Sequence, residues 1–180
     1  MLRRLISTSP RTHFAYLSRA MSTKIGIIGA LPEEIAVIQE HVEVIREHKF
    51  GSIFTIYEGR HNNRDIVYSL SNVGMVFASS VSTIMITQFA VDAVVFTGVA
   101  GALKAEHKIG DLIIADDVIN YDMDCTRFEL PNVTFLRGQI PFLGWRAFTC
   151  DPSLKQLALD APGKTQTRTS TIIYIYTYIP

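Results

Sequence analysis

Two stretches constrain the fold of this chain more than any others. The first is Lys24-Ile25-Gly26-Ile27-Ile28-Gly29-Ala30-Leu31-Pro32-Glu33-Glu34-Ile35, and the second is Ala93-Val94-Val95-Phe96 running into Thr97-Gly98-Val99-Ala100-Gly101. Each begins as an uninterrupted apolar run, the pattern of a strand covered on both faces. Each then passes into small residues that let the backbone turn. In the first, Pro32 suits an opening helical position, where its missing N–H has no partner to lose. Glu33 and Glu34 therefore fall in a first helical turn at the carboxyl edge of a strand, where open α/β sheets bind ligands. The plainer role for both acids is to complement the helix dipole, worth roughly a few tenths of a kcal/mol each.

Between and beyond these stretches the pattern alternates between helix and strand. Ile35, Ile38, Val42 and Ile45 recur at spacings of three and four, predicting a helix from Glu33 to about Arg46 with His41 and His48 on its exposed side. Residues 51–60 and 65–71 read as a hairpin around His61-Asn62-Asn63-Arg64. A helix follows over about 75–89, and a strand over 112–115 continues towards Asn120. Asp151 and Pro152 are a good N-cap and first position for a further helix. Residues 172–179 form an uncharged, strand-like run rich in Ile and Tyr. Strand–turn–helix units combined with a hairpin argue for an α/β domain with a mixed sheet. Gly26 lies inside its strand and no G-x-G-x-x-G spans the turn, so a dinucleotide cofactor is not expected.

Composition excludes several functions. The net charge is zero, which leaves no electrostatic footprint for nucleic acid or an anionic membrane. No apolar run reaches membrane-spanning length. Cys125 and Cys150 are too few and too widely spaced for a metal pattern or a disulfide framework, which favours a reducing compartment. Asp122 and Asp124 have no clustered third ligand, so no metal is expected there. Phe128, Phe135, Phe142 and Trp145 crowd a loop-rich stretch, as either a binding wall or subunit interface, or a small satellite core. Residues 1–22 carry Arg3, Arg4, Arg11 and Arg19 and no acid. They read as a leader, either a transit peptide or a segment ahead of a true start at Met21, giving a cytoplasmic or mitochondrial expectation.

Taken together, the motif 24–34, Ser71-Asn72-Val73-Gly74, the motif 97–103, Ile109-Gly110-Asp111-Leu112 and Gly138-Gln139-Ile140-Pro141 occur in the order and spacing of one family. The chain resembles the 5′-methylthioadenosine/S-adenosylhomocysteine nucleosidases of the nucleoside phosphorylase superfamily, over roughly residues 24–160. The resemblance implies a three-layer α/β/α fold around a mixed, partly closed sheet, a homodimer, and hydrolysis of the bond between adenine and an alkylthioribose without a cofactor. Glu34 aligns with the carboxylate that positions and deprotonates the attacking water. Val73 aligns with an apolar residue near the ribose, and Val99, Ala100 and Gly101 with the turn lining base and sugar, where many members carry Ser at the position of Val99. Phe128 aligns with an aromatic that reaches across the dimer to close the alkylthio pocket.

The resemblance also implies elements beyond residue 160: an aromatic stacked on adenine, a Glu-Met-Glu segment and an Asp that helps protonate the base. None has a counterpart in residues 165–180, so 23–160 is read as a partial, C-terminally truncated domain and 161–180 as a non-family tail. The resulting expectation is a nucleosidase that is weak or inactive as it stands. A phosphate-dependent phosphorylase and a non-catalytic binding or dimerisation module are the alternatives. Glu33 and Glu34, with no cation in their turn, would repel phosphate and favour water as the nucleophile.

Overall fold

The computed structural model describes residues 23–101, 105, 108, 109, 111–161 and the backbone of 172–176. The chain runs β1 (Ile25–Gly29), α1 (Pro32–His41), β2 (Glu43–Phe50), β3 (Phe54–His61), β4 (Arg64–Leu70), α2 (Met75–Gln88) and β5 (Ala93–Gly98). It continues through β6 (Ile113–Ile114), β7 (Asp117–Ile119), β8 (Ala147–Thr149), α3 (Pro152–Asp160) and β9 (Ile172–Tyr176). A seven-stranded mixed sheet has the order β2-β3-β4-β1-β5-β9-β6, and β7 and β8 form a separate two-stranded ribbon. β1 lies parallel to both β4 and β5, so the carboxyl ends of these three strands share one edge.

Strand alternation sends side chains to the two faces in turn. Ile28, Ile56, Val67 and Val94 pack with Val81, Met85 and Phe89 of the α2 segment on one face. Ile25, Ile27, Ile66 and Tyr68 pack with Ile38 and Val42 of the α1 segment on the other. The sheet is thus covered on both sides, the α/β/α layering expected. A side chain at Gly26 would come 3.1 Å from Met85 Sδ, so this glycine inside β1 lets α2 lie close to the sheet.

The hairpin turn falls on Asn62 and Asn63, with φ of 48° and 61°. Left-handed conformation at both central residues suits a tight hairpin, and Asn tolerates it. Residues 172–176 form a strand within the predicted run, antiparallel to β5 and parallel to β6. Asp151 caps α3 as expected, accepting from the N–H groups of Ser153 and Leu154 at 2.9 Å each.

The first helix is shorter than its apolar spacing predicts. It ends at His41, where the Val42 N–H closes on Ile38 O at 2.9 Å and the backbone becomes extended. Residues 43–50 instead form the edge strand β2, with a bulge between Val44 and Arg46. Val42, Val44 and Ile45 are β-branched and suit a strand. Pairing with β3 also brings Phe50 against Phe89, with ring centroids 6.3 Å apart, so tertiary contact overrides the local period. Ile45, expected on the buried stripe, is 62 % exposed.

His48 moves in the opposite direction. Expected on an exposed helix face, it is half-buried on β2, with Nε2 2.8 Å from Glu58 Oε2 and its ring edge-on to Phe89 at 4.9 Å. The slip from helix to strand rotates it onto the face that packs against α2.

Candidate active site

The site forms where β1 and β5 end side by side. Glu34 is the third residue of α1, and its side chain folds back over the start of the helix. Oε2 accepts the Ala30 N–H at 2.6 Å and the Leu31 N–H at 2.9 Å. These amides open α1 and have no partner within the helix. Glu34 supplies the acceptor instead, in the manner of the acidic half of a capping box.

A helix cap accounts for one oxygen only. Oε1 reaches away from α1 and accepts the Val99 N–H at 2.9 Å, from the turn that follows β5. The carboxylate therefore joins the two turns that the sequence marks as the strongest features of the chain. Hydrogen bonds to an ionised acceptor are stronger than neutral ones. A carboxylate offers about four lone-pair positions. Oε2 uses two and Oε1 uses one, so Oε1 keeps a position among the described residues for a further donor such as water. Glu34 is half-buried, whereas Glu33 is exposed.

Ser71 ties the neighbouring turn to the same edge. It is fully buried, and its N–H donates to Gly29 O at 2.8 Å, joining the end of β4 to the end of β1. Its hydroxyl donates to Asn72 O at 2.9 Å. Asn72 then turns in the left-handed region at φ 66°, and Gly74 at φ 109° leads into α2. Val73 lies between them, 68 % exposed. Ser71 belongs to a motif visible in the sequence, but its latching role depends on strand order, which residue type does not reveal.

The structure brings Glu34 together with Val99, and Ala100 and Gly101 continue the same turn. Val99 contributes through its backbone, and the residue is 61 % exposed. A hydroxyl at this position is therefore not needed to hold Glu34. Leu103 falls outside the described residues. Phe128 sits in the long loop, 61 % exposed, with its ring edge-on to Phe135 at 6.5 Å. The aromatic stretch includes a small core. Phe135 is buried with the exposed rings of Phe128 and Phe142 edge-on to it, while exposed Trp145 meets Phe148 instead. Arg137 braces this loop by pairing with Asp124 at 3.1 Å and lying 4.2 Å over the Tyr121 ring. Asp124 takes part in this bracing and in a local turn with Thr126, and among the described residues no cluster could hold a metal ion.

A cleft of about 210 Å³ lies beside α1 over the β3–β4 hairpin, lined by Ile35, Gln39, Thr55, Tyr57 and Leu70 among others. Since β1 separates β4 from β5 in the sheet, this cleft and the Glu34 carboxylate occupy different flanks of α1.

A parallel β4-β1-β5 core with a carboxylate clasped between two small-residue turns is the arrangement of a phosphorylase-type α/β domain. The family model described as the phosphorylase superfamily matches residues 24–180, and the chain belongs to that superfamily. Its curated relatives include a 5′-methylthioadenosine/S-adenosylhomocysteine nucleosidase from Buchnera aphidicola. That protein is 42 % identical over 118 residues, a match covering 66 % of this chain and 48 % of the relative. Among solved structures, the same-named nucleosidase of Neisseria meningitidis in complex with methylthio-immucillin-A is similar at 30 % identity and TM-score 0.71. The match covers 83 % of this chain and 61 % of that one. A Helicobacter pylori D198N mutant with 5′-methylthioadenosine in the active site is similar at 34 % identity and TM-score 0.67, covering 77 % of this chain and 58 % of that one. The chain spans about half the length of the curated relatives it matches.

Proposed function

We propose that the chain is a purine nucleosidase that hydrolyses the N-glycosidic bond of 5′-methylthioadenosine or S-adenosylhomocysteine and releases adenine. Glu34 orients and deprotonates the attacking water. One observation carries this reading: the Glu34 carboxylate is fixed by three backbone donors at the carboxyl edge of the sheet, with an Oε1 lone-pair position that no described residue uses. The departing purine leaves an oxocarbenium-like sugar, as in glycoside hydrolysis. A preorganised carboxylate beside that cation stabilises it electrostatically and can accept the proton of water. The names and bound ligands of the similar proteins support the substrate class.

Val73, Val99, Ala100 and Gly101 line the sugar and base in this reading. Phe128 closes the alkylthio end of a second subunit's site in a homodimer. Exposed Met75 and Val76 at the start of α2, together with exposed Phe128, supply apolar surface for that association. Adenine leaves poorly unless protonated, and the resemblance places the proton donor beyond the stretch it covers.

The test is adenine release from 5′-methylthioadenosine in phosphate-free buffer. Release that added phosphate does not accelerate supports the nucleosidase. Release that requires phosphate means a phosphorylase. No release and no binding of adenine analogues, with a stable dimer by sedimentation, means a non-catalytic module.

A further inference from the structure

We propose that Gly98 is a positioning residue for Glu34, placed there for the space it leaves; the proposal rests on the function assigned to Glu34 above. Glycine often serves a backbone conformation that other residues avoid. Gly98 is not such a case, because it is a regular residue of β5 and is absent from the positive-φ positions of the chain. What distinguishes it is what its missing side chain would meet. A Cβ at this position would lie 2.9 Å from Glu34 Oε1, 3.2 Å from Glu34 Cδ and 2.9 Å from Phe96 Cε1. Real Cβ atoms do not tolerate contacts this short, so both the Phe96 ring and the Glu34 carboxylate have to shift.

Glu34 cannot withdraw without loss. Oε1 is the oxygen that accepts the Val99 N–H at 2.9 Å, and Val99 is the next residue in the chain. On its other side the carboxylate is held by the Ala30 and Leu31 N–H groups at 2.6 and 2.9 Å. A methyl at position 98 therefore drives Oε1 off the Val99 amide, or drags the whole carboxylate off its helix cap. Either movement displaces the lone-pair position assigned to water. Positioning errors of about 1 Å can cost on the order of 100-fold in rate. Gly98 thus acts through Glu34 without touching substrate.

The experiment compares the wild-type chain with Gly98→Ala, Glu34→Ala and the double variant. It measures adenine release from 5′-methylthioadenosine and hydrogen exchange at the Val99 amide. Gly98→Ala is expected to lower kcat at least tenfold with KM within about twofold, and to speed Val99 exchange at least tenfold. In the Glu34→Ala background, where the obstructed carboxylate is gone, adding Gly98→Ala should leave Val99 exchange unchanged. If Gly98→Ala fails to fold, Glu34→Asp probes the same contact by withdrawing the carboxylate, and adding Gly98→Ala should then cost less stability than it does in the wild-type background, because only the Phe96 contact is left to relieve. Unchanged Val99 exchange in Gly98→Ala, or equal acceleration in both backgrounds, overturns the proposal. If the wild type releases no adenine, the functional reading fails, while the exchange data still decide the positioning of Glu34.

Discussion

Glu34 Oε1 and the backbone N–H of Val99, 65 residues apart in sequence, meet at 2.9 Å. This bond joins the helix-opening turn after β1 to the turn after β5, and it depends on the backbone of Val99 alone.

Substitutions at Val99 should therefore separate backbone from side chain. Val99→Ser keeps the N–H and should leave stability within about 0.5 kcal/mol of wild type, as for an exposed position. Val99→Pro removes the donor and should cost about 1–3 kcal/mol, the range for leaving a charged acceptor short of one bond. Urea unfolding of both variants measures the difference, and equal costs would show that the N–H holds nothing.

The edge strand makes a second prediction. Glu58 accepts from His48 at 2.8 Å and from Lys24 Nζ at 3.3 Å. Burial pushes its carboxyl up, but these hydrogen bonds and the positive charges beside it outweigh burial, so it lies below its ordinary value of 4.5. A carboxyl lowered in the folded state stabilises the fold above its unfolded value and loses that contribution as pH falls through its folded value. The stability gap between wild type and Glu58→Gln should narrow as pH falls below 4.5. Thermal unfolding across an acid series reads it, and a gap that widens in that range contradicts the assignment.

Packing gives a third. Met85 is fully buried between α2 and the sheet, against Ile28 and Val94 of the same cluster and facing Gly26. Met85→Ala should destabilise the fold by about 2–5 kcal/mol through lost burial and the cavity left behind. A denaturant midpoint unchanged from wild type would mean that α2 does not cover this face.

The legible parts of the fold were those written in local pattern. The two buried runs became β1 and β5, Asn62 and Asn63 formed the hairpin turn, and Asp151 capped α3. The stretch from Val42 to Phe50 was not legible, because Ile35, Ile38, Val42 and Ile45 satisfy a helical period by coincidence. Pairing with β3 and contact with Phe89 decided its conformation, and both are non-local. The candidate site divides in the same way. Glu34 could be singled out by its place in a motif. Its partner amides, the latch at Ser71 and the space at Gly98 depend on which strands lie side by side. Phe128 was identified by resemblance, and the structure adds its exposure and its support by Phe135.

The most direct measurement of the account is adenine release by the full chain with 5′-methylthioadenosine, comparing wild type with Glu34→Gln. The amide is nearly isosteric but cannot take a proton from water. Loss of general-base assistance is worth about 100- to 10,000-fold. The expected result is adenine release by wild type and a kcat lower by at least 100-fold in the variant, with the fold retained by circular dichroism. Equal release by the two proteins would contradict it.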